Sequence, residues 1–149
     1  MAYENIVYDY ILDPLRDKFI TEFTYGDIYI APEIKNTGKN FQIRLWNNSS
    51  ETIEYANNRW TKSYEISVNL YLIEQNPTET FFKQFYNDSE RVYQLLFDNK
   101  QLETTANSVT NNYYDGVPES GEINELDDVE AEIEGLNKIE FIFNCTISR

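Results

Sequence analysis

The clearest alternation of apolar and polar side chains lies in YEISVNLYLI. Tyr64, Ile66, Val68, Leu70 and Leu72 fall on one face, and Glu65, Ser67, Asn69 and Tyr71 on the other. A period of two predicts a half-buried strand. Beyond Glu74 and Gln75 the period changes. Phe81, Phe82, Phe85, Tyr86, Val92, Tyr93, Leu96 and Phe97 repeat every three to four positions, which predicts a helix with a wide apolar stripe. Asn76 is placed to cap that helix, with Pro77 at its first position and Glu79 three residues past the cap. A strand with one apolar face followed by a helix with one apolar face predicts a sheet covered by a helix.

The other segments complete this two-layer core. Tyr3, Ile6, Val7, Tyr10, Ile11, Leu15 and Phe19 recur at helical spacing and predict an amphipathic first helix. Pro14 cannot donate to the carbonyl of Tyr10, so a kink or two short helices are expected there, with Asp13 capping the restart. Ile28-Tyr29-Ile30 reads as a short strand ended by Pro32, and residues 36–40 as a turn. Phe41, Ile43 and Leu45 alternate with Gln42, Arg44 and Trp46 in a further strand. Asn47-Asn48-Ser49-Ser50 is a turn signal, 51–56 looks extended, and Asn57-Asn58 turns again into the strand at Tyr64. Residues 47–62 are too polar for a core and read as a projecting hairpin. Glu51, Ile53, Tyr55, Arg59 and Trp60 mark it as a candidate inter-subunit arm, because aromatic residues are enriched where proteins meet. The plainer reading is an exposed loop with a self-packed aromatic.

Residues 100–112 are polar and predict a loop with a short strand near Val109. Tyr113-Tyr114 reads as a strand end, and Ile123 and Leu126 as a partly buried strand. Val129, Ala131 and Ile133 alternate with Glu130, Glu132 and Glu134, which predicts an extended segment with one acidic face, broken at Gly135. In the last strand Ile139, Phe141, Phe143, Cys145 and Ile147 share a face, and its strength predicts a central place in the sheet. The expected fold is a single α+β domain over 1–149. It has a mostly antiparallel sheet of about five or six strands with two main helices packed on it, in the order α-β-β-β-α-β-β.

Composition narrows the function. The 149 residues hold 26 acidic and 12 basic side chains, a net charge of −14. Residues 1–100 contribute −5 and residues 101–149 contribute −9, with no Lys or Arg between Lys100 and Lys138. Such a chain is poorly suited to gripping nucleic acid or an anionic membrane. Histidine is absent, which removes Ser-His and Cys-His catalysis and His-ligated metals. The lone cysteine, Cys145, belongs to the apolar face of the last strand and reads as a structural thiol. No apolar run is long enough to span a membrane, and no signal segment is evident at the N-terminus, so synthesis in the cytosol is expected.

One cluster invites a chemical reading. Glu119, Glu122, Glu125, Asp127, Asp128, Glu130, Glu132 and Glu134 would attract hard cations, yet their spacing does not match a calcium-binding EF-hand loop. A solvated acidic face is the plain alternative. A surface that repels DNA is the purposeful one, with Glu125, Asp127, Asp128, Glu130, Glu132 and Glu134 as its candidates. Paired carboxylates for acid–base chemistry would need a pocket, and the five glycines form no phosphate loop. No cofactor is indicated.

The element order and several strings then point to a family. A leading amphipathic helix, the pair around FQIRLWNNSSETIEYANNRWTKSYEISVNLYL, the helix TETFFKQFYNDSERVYQLLFDN and the closing EGLNKIEFIFNCTI resemble the small tail-terminator and neck proteins of tailed bacteriophages. The resemblance spans nearly the whole chain and rests on element order, patterning and length. It implies a subunit of a hexameric ring at the head-proximal end of a tail. Such a ring stops tube growth, docks to the head-side connector and tail proteins, and lets DNA pass through its lumen without specific binding. It also implies a virion location and no catalysis. The competing reading is a monomeric acidic module that mimics DNA to occupy a host factor. A carboxylate hydrolase or divalent-metal enzyme is a third.

Overall fold

The structure is a computed structural model and describes residues 3, 5–32, 39–99, 113–114, 119–123 and 130–148, with the backbone alone at 113–114 and 119–123. The strand expected near Val109 and the features expected over residues 36–38 and 124–129 fall outside the described residues.

The fold is α+β. A six-stranded sheet carries β1 (Asp27–Ile30), β2 (Phe41–Ala56), β3 (Arg59–Ile73), β4 (Tyr113–Tyr114), β5 (Glu119–Ile123) and β6 (Leu136–Ser148). Its order is β1-β2-β3-β6-β4, with β5 also pairing with β6. β1, β2, β3 and β6 form its body, and the short β4 and β5 lie along the outer edge of β6. Every pairing is antiparallel except β1 with β2.

Pairing register explains why one face became the core. Ile43 lies opposite Leu70, and Leu70 opposite Ile139; Leu45, Val68 and Phe141 form the next such row. Because side chains alternate between faces, these rows stack their apolar positions on one side, while Tyr71, Ile73 and Leu136 form a smaller cluster with Ile133 on the other. Ile66, Phe143, Cys145 and Ile147 extend the same buried cluster. The closing strand pairs along its whole length with β3, but only the short β4 and β5 flank its other side, so it lies next to the edge and β3 holds the central place expected for it.

Two helices cover that face. The first begins with a π-helical segment, Val7–Leu12, that runs into α1 (Asp13–Glu22). The expected break at Pro14 is instead a wider turn: the Asp13 N–H bonds to the carbonyl of Tyr8, five residues back. Widening the coil accommodates the bond that Pro14 cannot make while the helix continues. Asp13 caps nothing and instead pairs with Arg16 within the same helix. Tyr10, Ile11, Leu15, Phe19 and Phe23 are buried from this element.

α2 (Glu79–Asp98) is capped by Thr78, whose hydroxyl accepts from the Phe81 N–H at 3.3 Å. The expected cap at Asn76 lies too early, and Pro77 precedes the cap. Glu74 holds the strand end by donating its N–H to Gly135 and accepting from Asn76, and the helix starts two residues later than expected. Phe85, Val92 and Leu96 are buried against the sheet. A polar clamp joins the two helices. Asp88 is buried and accepts from Tyr25, Gln84 and Arg91. Arg91 also reaches Glu22 at 2.8 Å and stacks over Phe23 at 4.6 Å. The bond to Glu22 raises the pKa of Arg91 further, and burial pushes the Tyr25 phenol above its usual value, with Asp88 adding to the effect.

Candidate functional site

Two features stand outside the core: the hairpin arm and the acidic turn before β6. β2 and β3 pair along nearly their whole length, and Ala56 lies opposite Arg59 across a two-residue turn at Asn57-Asn58. Asn57 has φ 28°, the left-handed region that tight hairpin turns require and that asparagine tolerates. Residues 48–59 are all exposed, so the arm projects beyond the helices as the sequence predicts.

The expected turn at Asn47-Asn48-Ser49-Ser50 is not a turn. The strand continues, and the register shifts by one residue between Asn47 and Ser49. Asn48 is the extra residue. Its side chain donates to Ser67 and to Glu65 at 3.3 Å, and accepts from the Trp46 indole at 2.6 Å. These bonds pin a β-bulge, a device that bends and twists a strand. A second shift falls between Thr52 and Glu54. Between them they set the aim of the arm.

Register sorts the arm's candidate residues onto faces. Tyr55 is opposite Trp60, and Thr52 opposite Lys62. Lys62 lies over the Trp60 ring at 5.8 Å and the Tyr64 ring at 4.9 Å, a favourable stacking of cation on aromatic faces. Glu51 and Glu54 lie opposite Ser63 and Thr61, on the other face. Tyr55 is 85% exposed and Ile53, in the second bulge, 53%. With Arg59, Trp60 and Ser148 they line an open groove of about 970 Å³. Lys62 and Asn48 carry part of this geometry and were not among the sequence candidates. The spacing Trp60-x-Lys62-x-Tyr64 was the available signal for Lys62; nothing short of the strand register could flag Asn48.

The acidic segment departs from its expectation. Residues Glu130–Glu132 form a turn of 3₁₀-helix rather than an extended strand. Glu130 is buried, and its carboxylate accepts from the Lys138 ammonium at 2.9 Å. Ile133 packs against Tyr71 and Leu136. Only Glu132 and Glu134 of this trio remain on the surface, so the uniform acidic face is broken at Glu130. The physical reason is pairing: a buried carboxylate must be matched, and Lys138 is the match. Glu125, Asp127 and Asp128 lie outside the described residues. Gly135, at φ 76°, turns the chain into β6, and a Cβ there would meet the Glu74 backbone oxygen at 2.6 Å.

Among the described residues no group of three acidic or cysteine side chains is placed to hold a metal ion, and no helix is long and apolar enough to cross a membrane. The described residues form an α+β fold with a projecting arm that lines an open groove. No protein-family model and no curated protein matches the chain. Among solved structures, the fold is similar to a chain described as "Virion of native gene transfer agent (GTA) particle", with a TM-score of 0.55 and 7% identity. That alignment covers 98% of this chain and 100% of the other.

Proposed function

We propose that this chain is a structural protein of a phage-like virion. In the finer reading it forms a hexameric ring at the head-proximal end of a tail, as a tail terminator or neck component. The observation that carries the reading is the fold likeness, end to end in both chains, to a protein of a gene transfer agent virion. The exposed arm supports it, since Ile53 and Tyr55 stand in water beside the half-buried Trp60 and would gain from cover by a neighbour. In this reading the arm reaches an adjacent subunit. Head-side connector and tail proteins are the other partners, and genome DNA passes an acidic lumen without specific binding. A net charge of −14 suits a conduit that must not grip a polyanion. Its work is assembly, with no catalysis assigned.

The DNA-mimic alternative loses ground because Glu130 turns inward and interrupts a phosphate-like row. Negative-stain electron microscopy of the purified protein tests the proposal. Rings with a central opening are expected. A uniform field of single 17.7 kDa particles at every concentration would sink it.

A further inference from the structure

We infer that the bulge at Asn48 guards the open edge of the sheet: it keeps β2 of one copy from pairing with a strand of another. This goes beyond the ring reading and does not rest on it.

β2 is an edge strand for most of its length. β1 pairs with it only from Gln42 to Leu45. Beyond Leu45 no strand among the described residues pairs with its outer side, and residues 48–56 are all exposed. An open edge presents a row of backbone N–H and C=O groups to any extended chain, and addition that does not close on itself yields fibres. Thr52, Ile53 and Tyr55 favour strands, and no proline interrupts residues 46–56. Glu51 and Glu54 are the only charges there, so the run from Trp46 to Ser50 has none. Asn48 sits in that uncharged run.

The two register shifts cut this edge into short pieces. Asn47 lies opposite Ile66 and Ser49 opposite Glu65, so Asn48 has no partner across the ladder. Regular pairing then holds only from Ser49 to Thr52 before Ile53 is left over in turn. That run is shorter than the usual strand of about five or six residues. Each bulge also adds twist, and a twisted edge fits an incoming strand poorly. Side chains hold the first bulge in place. The Asn48 amide donates to the buried Ser67 and to Glu65 at 3.3 Å, and accepts from the Trp46 indole at 2.6 Å. The Asn47 amide, oriented to satisfy both its groups, donates to the backbone carbonyls of Ser49 at 2.8 Å and Glu65 at 3.0 Å. Ile53 brings no polar side chain to the second bulge. Asn48 is therefore the residue whose loss frees the edge.

The test is deletion of Asn48. Asn47 and Ser49 become neighbours opposite Ile66 and Glu65, so the ladder closes without moving any other partner, and thermal melting checks that the chain still folds. The deletion chain is expected to grow steadily where the wild type holds a fixed size, read as rising light scattering and an infrared signal of intermolecular sheet. Ser50→Lys added to the deletion is expected to return scattering to the wild-type level, because a lysine on the edge opposes strand addition. Aggregation driven by unfolding would not respond to that change. Where the deletion chain does not fold, Asn48→Ala carries the test: it keeps the chain length, loses the bonds to Trp46, Ser67 and Glu65, and is expected to show the same growth more slowly. A folded deletion chain with wild-type scattering overturns the proposal, as does growth that Ser50→Lys leaves unchanged. An Asn48→Ala chain that scatters like wild type, beside a deletion chain that does not fold, overturns it equally.

Discussion

Phe141 sits at the middle of β6 with Val68 opposite it on β3, and it is 2% exposed. Replacing it with alanine removes a buried ring from the main core cluster. Burying such a side chain contributes about 1.5–3 kcal/mol by transfer from water alone. The strands on either side of it are fixed by pairing, so the space left behind cannot collapse fully, and the cavity raises the cost to about 3–5 kcal/mol. Domains of this kind are stable by about 5–15 kcal/mol, so the loss is a large fraction of the total. Urea unfolding followed by far-ultraviolet circular dichroism measures it. With a slope of roughly 2 kcal/mol per molar urea the midpoint should fall by about 2 M. The measurement belongs at low protein concentration, because self-association would add apparent stability. Phe97→Ala is the internal control: the same chemistry on α2, at a ring 42% exposed, should cost less than about 1 kcal/mol. A Phe141→Ala loss below about 1 kcal/mol, or equal losses at both sites, would refute the placement of β6 in the core.

Further predictions concern the polar and backbone features. Lys138→Met should cost about 3–5 kcal/mol by stranding the buried Glu130 carboxylate, and the double change with Glu130→Leu should recover most of it; denaturant midpoints of the two variants decide this. Gly135→Ala should destabilise by about 1–3 kcal/mol, since φ 76° and the Glu74 backbone both oppose a side chain; an unchanged midpoint would show that the turn relaxes freely. Tyr25 has a raised folded pKa, so its contribution is complete below the ordinary tyrosine value and is lost as pH rises through the folded one. Tyrosinate absorbance should accordingly show late-titrating phenols in the native protein, Tyr25 and Tyr29 among them, and Tyr25→Phe should remove part of that late step.

Local patterns that matched the fold were those whose partners share their period. β3 and β6 alternate over ten residues or more, so their apolar core face could be read directly, although β3 is not half-buried as expected, since Ser67, Asn69 and Tyr71 on its opposite face are buried too; Asn57-Asn58 marked the tip of the arm because a tight turn needs a residue tolerant of positive φ. Where a residue type serves two structures, local reading failed. Asparagine and serine favour turns, yet Asn48 uses the same hydrogen-bonding capacity to pin a bulge against Ser67, 19 residues away. Asn76 and Thr78 are both good caps, and the choice between them depends on how Glu74 is tied to Gly135. The trio Glu130, Glu132 and Glu134 alternates like a strand over too few residues to exclude a helical turn, and the first carboxylate goes inside where it meets Lys138. Asp88 was invisible among surface acids because its partners, Tyr25 and Arg91, come together only when the helices pack. The arm's aromatic residues were legible as candidates, whereas the cation stacked among them required the register.

The central claim is that this chain works by association between copies. Sedimentation equilibrium across a wide concentration range measures that directly. The account predicts a concentration-dependent rise toward six times the 17.7 kDa chain. A mass fixed at one chain throughout, in buffer of moderate ionic strength, would contradict it.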